Sequence, residues 1–352
     1  MSTLAATNLK HASSASNNIV LDSSGNATFA GTAVPASSFL RNRIINGDMR
    51  IDQRNAGASI SVTSTGFPVD RFYINANSFG VISGQRSTVV PTGFTNSALM
   101  TVTTARSSIA ASDVYGIRQT IEGFNTADFG WGAAAAQTVT LSFWVRSSIA
   151  GTYTVSIFNA AFNRSYVATY TINSANTFEY KTVTVAGDIT GTWATDNTAS
   201  VNVFWDLGSG SDYQATANSW VASGSIRTSG STNWISTSGA TFYLTGVQLE
   251  VGSAATPFER RQYGQELALC QRYYQVGFAA GRLSIAATEG WPIQYKVTMR
   301  ATPTITFGTA YSSFGLSTGP LADNADTNGF TMRISGAGDH GWTGPYSAAI
   351  EL

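Results

Sequence analysis

Cysteine is nearly missing from this chain. Cys270 is the only one in 352 residues, so no intrachain disulfide can staple the fold and a secreted disulfide framework is excluded. Charge is scarce too. Charged residues make up 11% of the chain, against ~25% in ordinary soluble proteins. The 20 basic and 20 acidic side chains cancel to a formal net charge of +0, which leaves no basic footprint for nucleic acid. Ser, Thr, Asn and Gly take the place of surface charge, a chemistry suited to an outer surface that must hold without strong salt dependence. There are 2 histidines, His11 and His340, both far in sequence from Cys270. They set up neither transition-metal spacing nor a serine triad. The run GSGSDY (208–213) opens no helical pattern, so it is not a phosphate loop. No apolar run reaches the ~18 residues of a membrane-crossing helix. Met1 to Ala5 show neither a basic region nor an apolar one, so no export signal is expected. A chain built for the outside yet lacking such a signal reads as part of a particle, assembled in the cytoplasm and released by lysis.

What is present is β pattern. Val139, Leu141, Phe143 and Val145 alternate with Thr140, Ser142 and Trp144, and Tyr153, Val155 and Ile157 with Thr154 and Ser156. The stretches FEYKTVTVA (178–186) and VNVFWDL (201–207) repeat the period of two. Short strands at this spacing predict an all-β sandwich or barrel over residues 38–257. Phe242 and Leu244 share one parity while Val247, Leu249 and Val251 continue on the other, which predicts a β-bulge at Gly246. Residues 1–37 hold one apolar strand, Ile19 to Leu21, then a Ser-Ser-Gly-Asn turn and Ala27 to Phe29. They read as a hairpin with too little apolar material for a core of its own, hence an attachment or oligomerising segment.

At 258–276 the period becomes helical. Tyr263, Leu267, Cys270 and Tyr274 fall at i, i+4, i+7 and i+11, one narrow apolar stripe. Pro257 is placed to start this connector helix. Gly264 inside it calls for a close neighbour as compensation, since glycine costs ~1 kcal/mol there relative to Ala. The stripe can pack on its own sandwich or serve as a trimer seam about a threefold axis; its narrowness favours the seam. Residues 277–352 return to β as a small C-terminal domain, with the tract SGAGDHGWTG (335–344) expected as a surface loop.

Three stretches resemble phage tail fibre and tail-associated proteins: LRNRIINGDMRIDQRNAG (40–57), TVTLSFWVRSSIAGTYTVSIFN (138–159) and TFYLTGVQLEVGSAATPFERRQYGQELALCQRYYQ (241–275). VTMRATPTITF (297–307) and the closing SAAIEL are similar to the small domain that often follows. NNIVLDSSGNATFAG (17–31) resembles segments of cyanophage fibres. The resemblance implies a central jelly roll like a carbohydrate-binding module, a homotrimer, an N-terminus attached to the tail or particle, and a distal end that meets host cell-surface polysaccharide. It implies a structural Ca²⁺ between the opening segment and the closing strand, where Asn46, Asp48 and Glu250 stand; the plainer reading is a hydrogen-bonded turn and a solvated Glu, with no cofactor required.

Glycan binding needs aromatic faces beside polar groups. The candidates are Tyr213, Trp220, Trp234, Trp291, Asp339, His340, Trp342 and Tyr346, with a place in a core or a trimer interface as the plainer reading for any one of them. Trp205 is expected in the core. Carboxylate pairs such as Asp206 with Asp212, or Glu250 with Glu259, give no catalytic spacing, so a binding protein is expected and an enzyme is not. The fibre reading leads; an adaptor, nozzle or head fibre without receptor binding, and a polysaccharide depolymerase, stay behind it.

Overall fold

A computed structural model of the protein describes residues 8–10, 19–21, 27–29, 32–34, 41–77, 79–285 and 287–352. Two antiparallel sheets face each other. One has seven strands, in spatial order Trp220–Val221, Ser165–Ile172, Gly151–Asn159, Ala199–Asp206, Gly116–Glu122, Phe72–Asn75 and Thr65–Val69. The other has six: Glu179–Val185, Val139–Ser147, Thr241–Val251, Ser97–Thr104, Val81–Ser87 and Ile60–Val62. The non-consecutive strand order is that of a jelly-roll sandwich. The parity read from the sequence decides what faces inward: Leu141, Phe143 and Val145 meet Tyr153, Val155, Ile157, Val203 and Trp205 in one core.

The bulge lies where the phase slip puts it. Ser142 pairs with Gln248 and Trp144 with Thr245, so Gly246 and Val247 together oppose Phe143. Gly246 has φ 61°, a left-handed value that glycine adopts without strain. The extra residue returns Val247 and Leu249 to the core after Phe242 and Leu244.

Near the N-terminus, Ile19, Val20 and Leu21 pair with Phe29, Thr28 and Ala27 in the expected hairpin. Strands Asn8–Leu9 and Thr32–Val34 extend it to a four-stranded meander.

The connector helix is shorter than its periodicity suggests. It spans Tyr263–Gln271, not 258–276. Residues 258–262 stay extended because side chains hold them: the Glu259 N–H donates to Gln248 Oε1 at 2.7 Å and Arg41 Nη2 to the Pro257 carbonyl at 2.8 Å. Pro257 therefore does not begin the helix. Tyr274 already opens the strand Tyr274–Leu283. The four stripe residues do not form one seam. Cys270 is fully buried with Ile45, Ile51 and Tyr273 of the same chain, whereas Tyr263 is 56% exposed. Nothing lies within 4 Å of where a Gly264 Cβ would sit, so the expected compensating neighbour is not there.

The C-terminal domain is organised by one long strand, Gly329–Ala349, which pairs with Tyr274–Leu283, Ala287–Gln294, Thr304–Phe307 and Ser312–Asp323. The glycine-rich tract 335–344 is thus paired strand and not a loop. Its glycines and those opposite make room for aromatic rings. A Cβ on Gly281 would meet the Trp291 ring at 2.7 Å, and one on Gly277 the Tyr346 ring at 2.4 Å.

Two glycines make opposite predictions. Gly246→Ala forces a methyl to 2.7 Å from Phe94 at a left-handed φ and should destabilise by about 1–3 kcal/mol. Gly264→Ala adds a methyl into open space and should stabilise by about 0.5–1 kcal/mol. Urea unfolding of the two variants measures both signs.

Candidate binding cleft

The outer face of the seven-stranded sheet is covered at both ends. At one end lies the segment following Asp206. Arg227 reaches into it, its Nη2 donating to the Ser231 carbonyl at 2.8 Å and its Nη1 to the Ser209 carbonyl. Arg227 Nε stands 3.8 Å from Asp206 Oδ2. Burial pushes the Asp206 carboxyl above the usual range, and Arg227 with the Ser209 N–H pulls it back only in part. At the other end the chain arrives from the helix. Tyr273 Oη donates to Glu122 Oε2 at 2.6 Å, Arg272 pairs with Glu122 at 2.6 Å, and Arg71 pairs with Glu351 and lies 3.5 Å from the Tyr273 ring centroid.

Between these covers a cleft of ≈ 340 Å³ stays open, within the ~300–1,000 Å³ typical of small-ligand sites. Its floor follows strand parity. Asn202 and Phe204 alternate with core-facing Val201, Val203 and Trp205, and Arg118 and Thr120 with Ile117 and Ile121. Gly116 lets the Phe204 ring lie flat on the sheet, since an added Cβ would come within 2.2 Å of it. The rim is aromatic. Phe162 sits at the hairpin tip between Asn159 and Arg164 with φ 51°, an outlier for a bulky residue. The tip is held by Asn159 Oδ1, which accepts the N–H groups of Asn163 and Arg164. Phe162 packs edge-on against Phe158 at 4.8 Å and stands 6.0 Å from Tyr213.

Polar groups on the floor are left without partners. Asn75 Oδ1 and Arg118 Nε are buried atoms with no hydrogen bond. Asn202 Oδ1 accepts from Thr120 Oγ1 at 2.6 Å, which leaves its amide nitrogen as the free donor. Rings beside unpaired amide and guanidinium groups match a ligand that presents both C–H faces and hydroxyls.

Of the candidates read from the sequence, Tyr213 lines this cleft. Trp234 does not: it is fully buried, its Nε1 donating to the Thr241 carbonyl. His340 at 0% exposure, Trp342 at 4% and Tyr346 at 5% belong to the C-terminal domain's interior, because the tract that holds them is paired strand. A ring so enclosed offers no face to a sugar. Trp291 covers Gly281 beside that core, and Asp339 pairs with Arg282 at 2.9 Å. Trp220 joins Trp131 and Trp193 in an edge-to-face triangle, with centroids 4.7 to 5.6 Å apart. Trp205 is in the core as expected.

Asn46, Asp48 and Glu250 are each engaged by protein groups. Asn46 Oδ1 accepts the Ile51 N–H, Asp48 pairs with Arg50 at 2.5 Å, and both Glu250 oxygens accept from Thr256. Glu250 is also 1% exposed and not solvated. Among the described residues no group of three or more His, Cys, Asp or Glu side chains could hold a metal ion.

Sequence reading missed Arg118, Asn75, Asn202, Phe162 and Phe204. The parity of VNVFWDL did hold a signal: Phe204 falls opposite to the core series, and an aromatic ring on an outer face is either covered or used.

No protein-family model matches the chain, and no curated protein matches it. Among solved structures, it is similar to the C-terminal family 22 carbohydrate-binding module of Clostridium thermocellum Xyn10B, with 11% identity over 62% of this chain and 99% of that one, TM-score 0.32. It is similar to the enzymatically active domain of bacteriophage CBA120 tailspike protein 4, with 12% identity over 60% of this chain and 21% of that one, TM-score 0.30. TmCBM61, solved with β-1,4-galactotriose, shares 8% identity over 60% of this chain and 99% of that one, TM-score 0.28. Likeness this distant says nothing about what the present chain binds.

The Asp206 environment predicts a pH dependence. Its carboxyl is raised in the folded state, so the stability it contributes is fully present below its unfolded pKa of ~3.9 and is lost as pH rises through the folded value. Asp206→Asn removes that slope. The stability of the natural protein relative to Asp206→Asn should therefore fall between pH 4 and pH 7 in urea titrations; a difference that rises with pH would show that Arg227 outweighs burial.

Proposed function

We propose that this chain is a virion fibre protein that binds host surface glycan through the cleft on the outer face of the seven-stranded sheet. The observation that carries the binding half is the pairing of an aromatic rim, Phe162 and Tyr213, with unpartnered polar atoms of Asn75 and Arg118 on the floor. The fibre half rests on the resemblance of residues 40–57, 138–159 and 241–275 to tail fibre proteins. A homotrimer with a tail-attached N-terminal meander fits that resemblance and the small apolar content of residues 1–37. The mechanism is multivalency: shallow single sites bind weakly, and copies held on one particle raise the effective affinity by ~10²–10⁴. Among the described residues no helix is long and apolar enough to cross a membrane. The role proposed here is recognition without bond cleavage.

Two measurements test the two halves. On a glycan array or a host-cell adsorption assay, Tyr213→Ala and Phe162→Ala should each weaken binding by about 1–2 kcal/mol, the scale of one aromatic contact, in protein that still unfolds cooperatively. Unaltered binding would remove the cleft from the reading. Sedimentation of the full chain at micromolar concentration should report a trimer; a monomer would remove the trimeric fibre.

A further inference from the structure

We infer that the cleft selects an acidic sugar, with Arg118 as the residue that takes the sugar's carboxylate or sulfate group; this rests on the glycan-binding reading above. Among the described residues Arg118 is the only charged side chain lining the cleft, where Leu352 also stands. Elsewhere on this sheet face the arginines are engaged: Arg71 and Arg54 with Glu351, Arg272 with Glu122, Arg227 with Asp206. Those same pairs occupy Glu122, Glu351 and Asp206, and among the described residues no carboxylate stands within ion-pair distance of Arg118. Among the described residues Arg118 has no hydrogen-bond or carboxylate partner, and its Nε is buried without one. Its guanidinium lies 4.5 Å from the centre of the Tyr73 ring. Stacking fixes the plane by one face, and with Nε buried the two terminal nitrogens are the edge that can grip a planar oxyanion with two parallel bonds.

An unpaired arginine on an exposed surface needs no explanation, because water solvates it. Arg118 differs in that its guanidinium is held against the Tyr73 ring with its Nε shut off from solvent, which fixes its terminal donors in place for an acceptor. The free amide nitrogen of Asn202 and the Asn75 carboxamide oxygen lie in the same cleft. They can hold ring hydroxyls while Arg118 holds the anion. A neutral sugar would satisfy the amides and leave the guanidinium half-paired, so the acidic ligand should be preferred by the strength of a charge-assisted bond.

The test uses the full chain and three oligosaccharide probes of matched length: an oligogalacturonide, a neutral galactan and a sulfated galactan, titrated calorimetrically at low and physiological salt. The expected result is that one acidic probe binds at least ~10-fold tighter than the neutral one, an advantage that shrinks as salt rises. The carboxylated and sulfated arms identify which anion is taken. Arg118→Gln should abolish the salt-dependent preference for the acidic probe, so that acidic and neutral probes bind alike, and Arg118→Lys should recover only part of the preference because it lacks the fork. Equal binding of neutral and acidic probes by the natural protein overturns this inference and leaves the glycan reading standing. Binding of none of the probes overturns this inference, and loss of all signal on the broader array removes the glycan reading with it. If Arg118→Gln lowers the unfolding midpoint, Arg118→Lys and the salt dependence of the natural protein decide the matter.

Discussion

The structure depends on a clasp between the segment that leads into the sandwich and the one that leaves it, over 200 residues later. Arg261 donates from Nη1 to the Ile44 carbonyl at 3.0 Å and from Nη2 to the Asn42 carbonyl, and pairs with Glu266 at 3.3 Å. Glu266 Oε1 accepts the Asn46 N–H at 2.5 Å, and Glu259 Oε2 accepts the Asn42 N–H at 2.9 Å. The Asn42 side chain spans the closing strand, its Nδ2 donating to the Val247 carbonyl and its Oδ1 accepting the Leu249 N–H. Burial raises the Glu266 carboxyl, with Arg261 opposing. Removing either partner of such a pair strands a buried charge, at about 3–5 kcal/mol. A chain with 11% charged residues spends many of them here, which explains why its charged stretch sits at the strand-to-helix joint.

The clasp sets the position of everything after it. The helix is held against Ile45 and Ile51, and Tyr273 and Arg272 then close on Glu122. Arg300 extends the bridge by donating to the Asn197 carbonyl at 2.8 Å and to the Ile350 carbonyl at 3.0 Å. The C-terminal domain is thus fastened to one end of the sheet's outer face, and residues following Asp206 cover the other. The cleft is the strip that remains. Its existence follows from how two covers stop short of each other, and its chemistry from what strand parity presents between them.

Legibility in the sequence tracked how local the deciding physics was. The period of two in 139–145 and 153–157 reports backbone pleat and burial within a few residues, and it assigned the core correctly. The bulge at Gly246 was legible because a phase slip and a glycine coincide. The glycine-rich tract 335–344 misled. Glycine normally marks loops, but here the tract is paired strand, and Gly281 and Gly277 on the strand opposite leave space for Trp291 and Tyr346, a partnership that spans 69 residues between Gly277 and Tyr346. The helix stripe misled in a related way. Periodicity located an apolar row but not what would cover it, and Ile45 and Ile51 cover Cys270 from far upstream.

Composition and periodicity alone determined a mainly β, disulfide-free chain with a parity-defined core, a hairpin near the N-terminus and a helix after the sandwich, since each of these is written in neighbouring residues. Tertiary structure decided the length of that helix, the burial of Trp234, His340 and Trp342, and the engagement of Asn46, Asp48 and Glu250 with protein donors. It alone brought Arg118, Asn75, Asn202, Phe162 and Tyr213 to one cleft. Those five come from separate strands and loops, and only the antiparallel register of the sheet and the two covers on its face place them together.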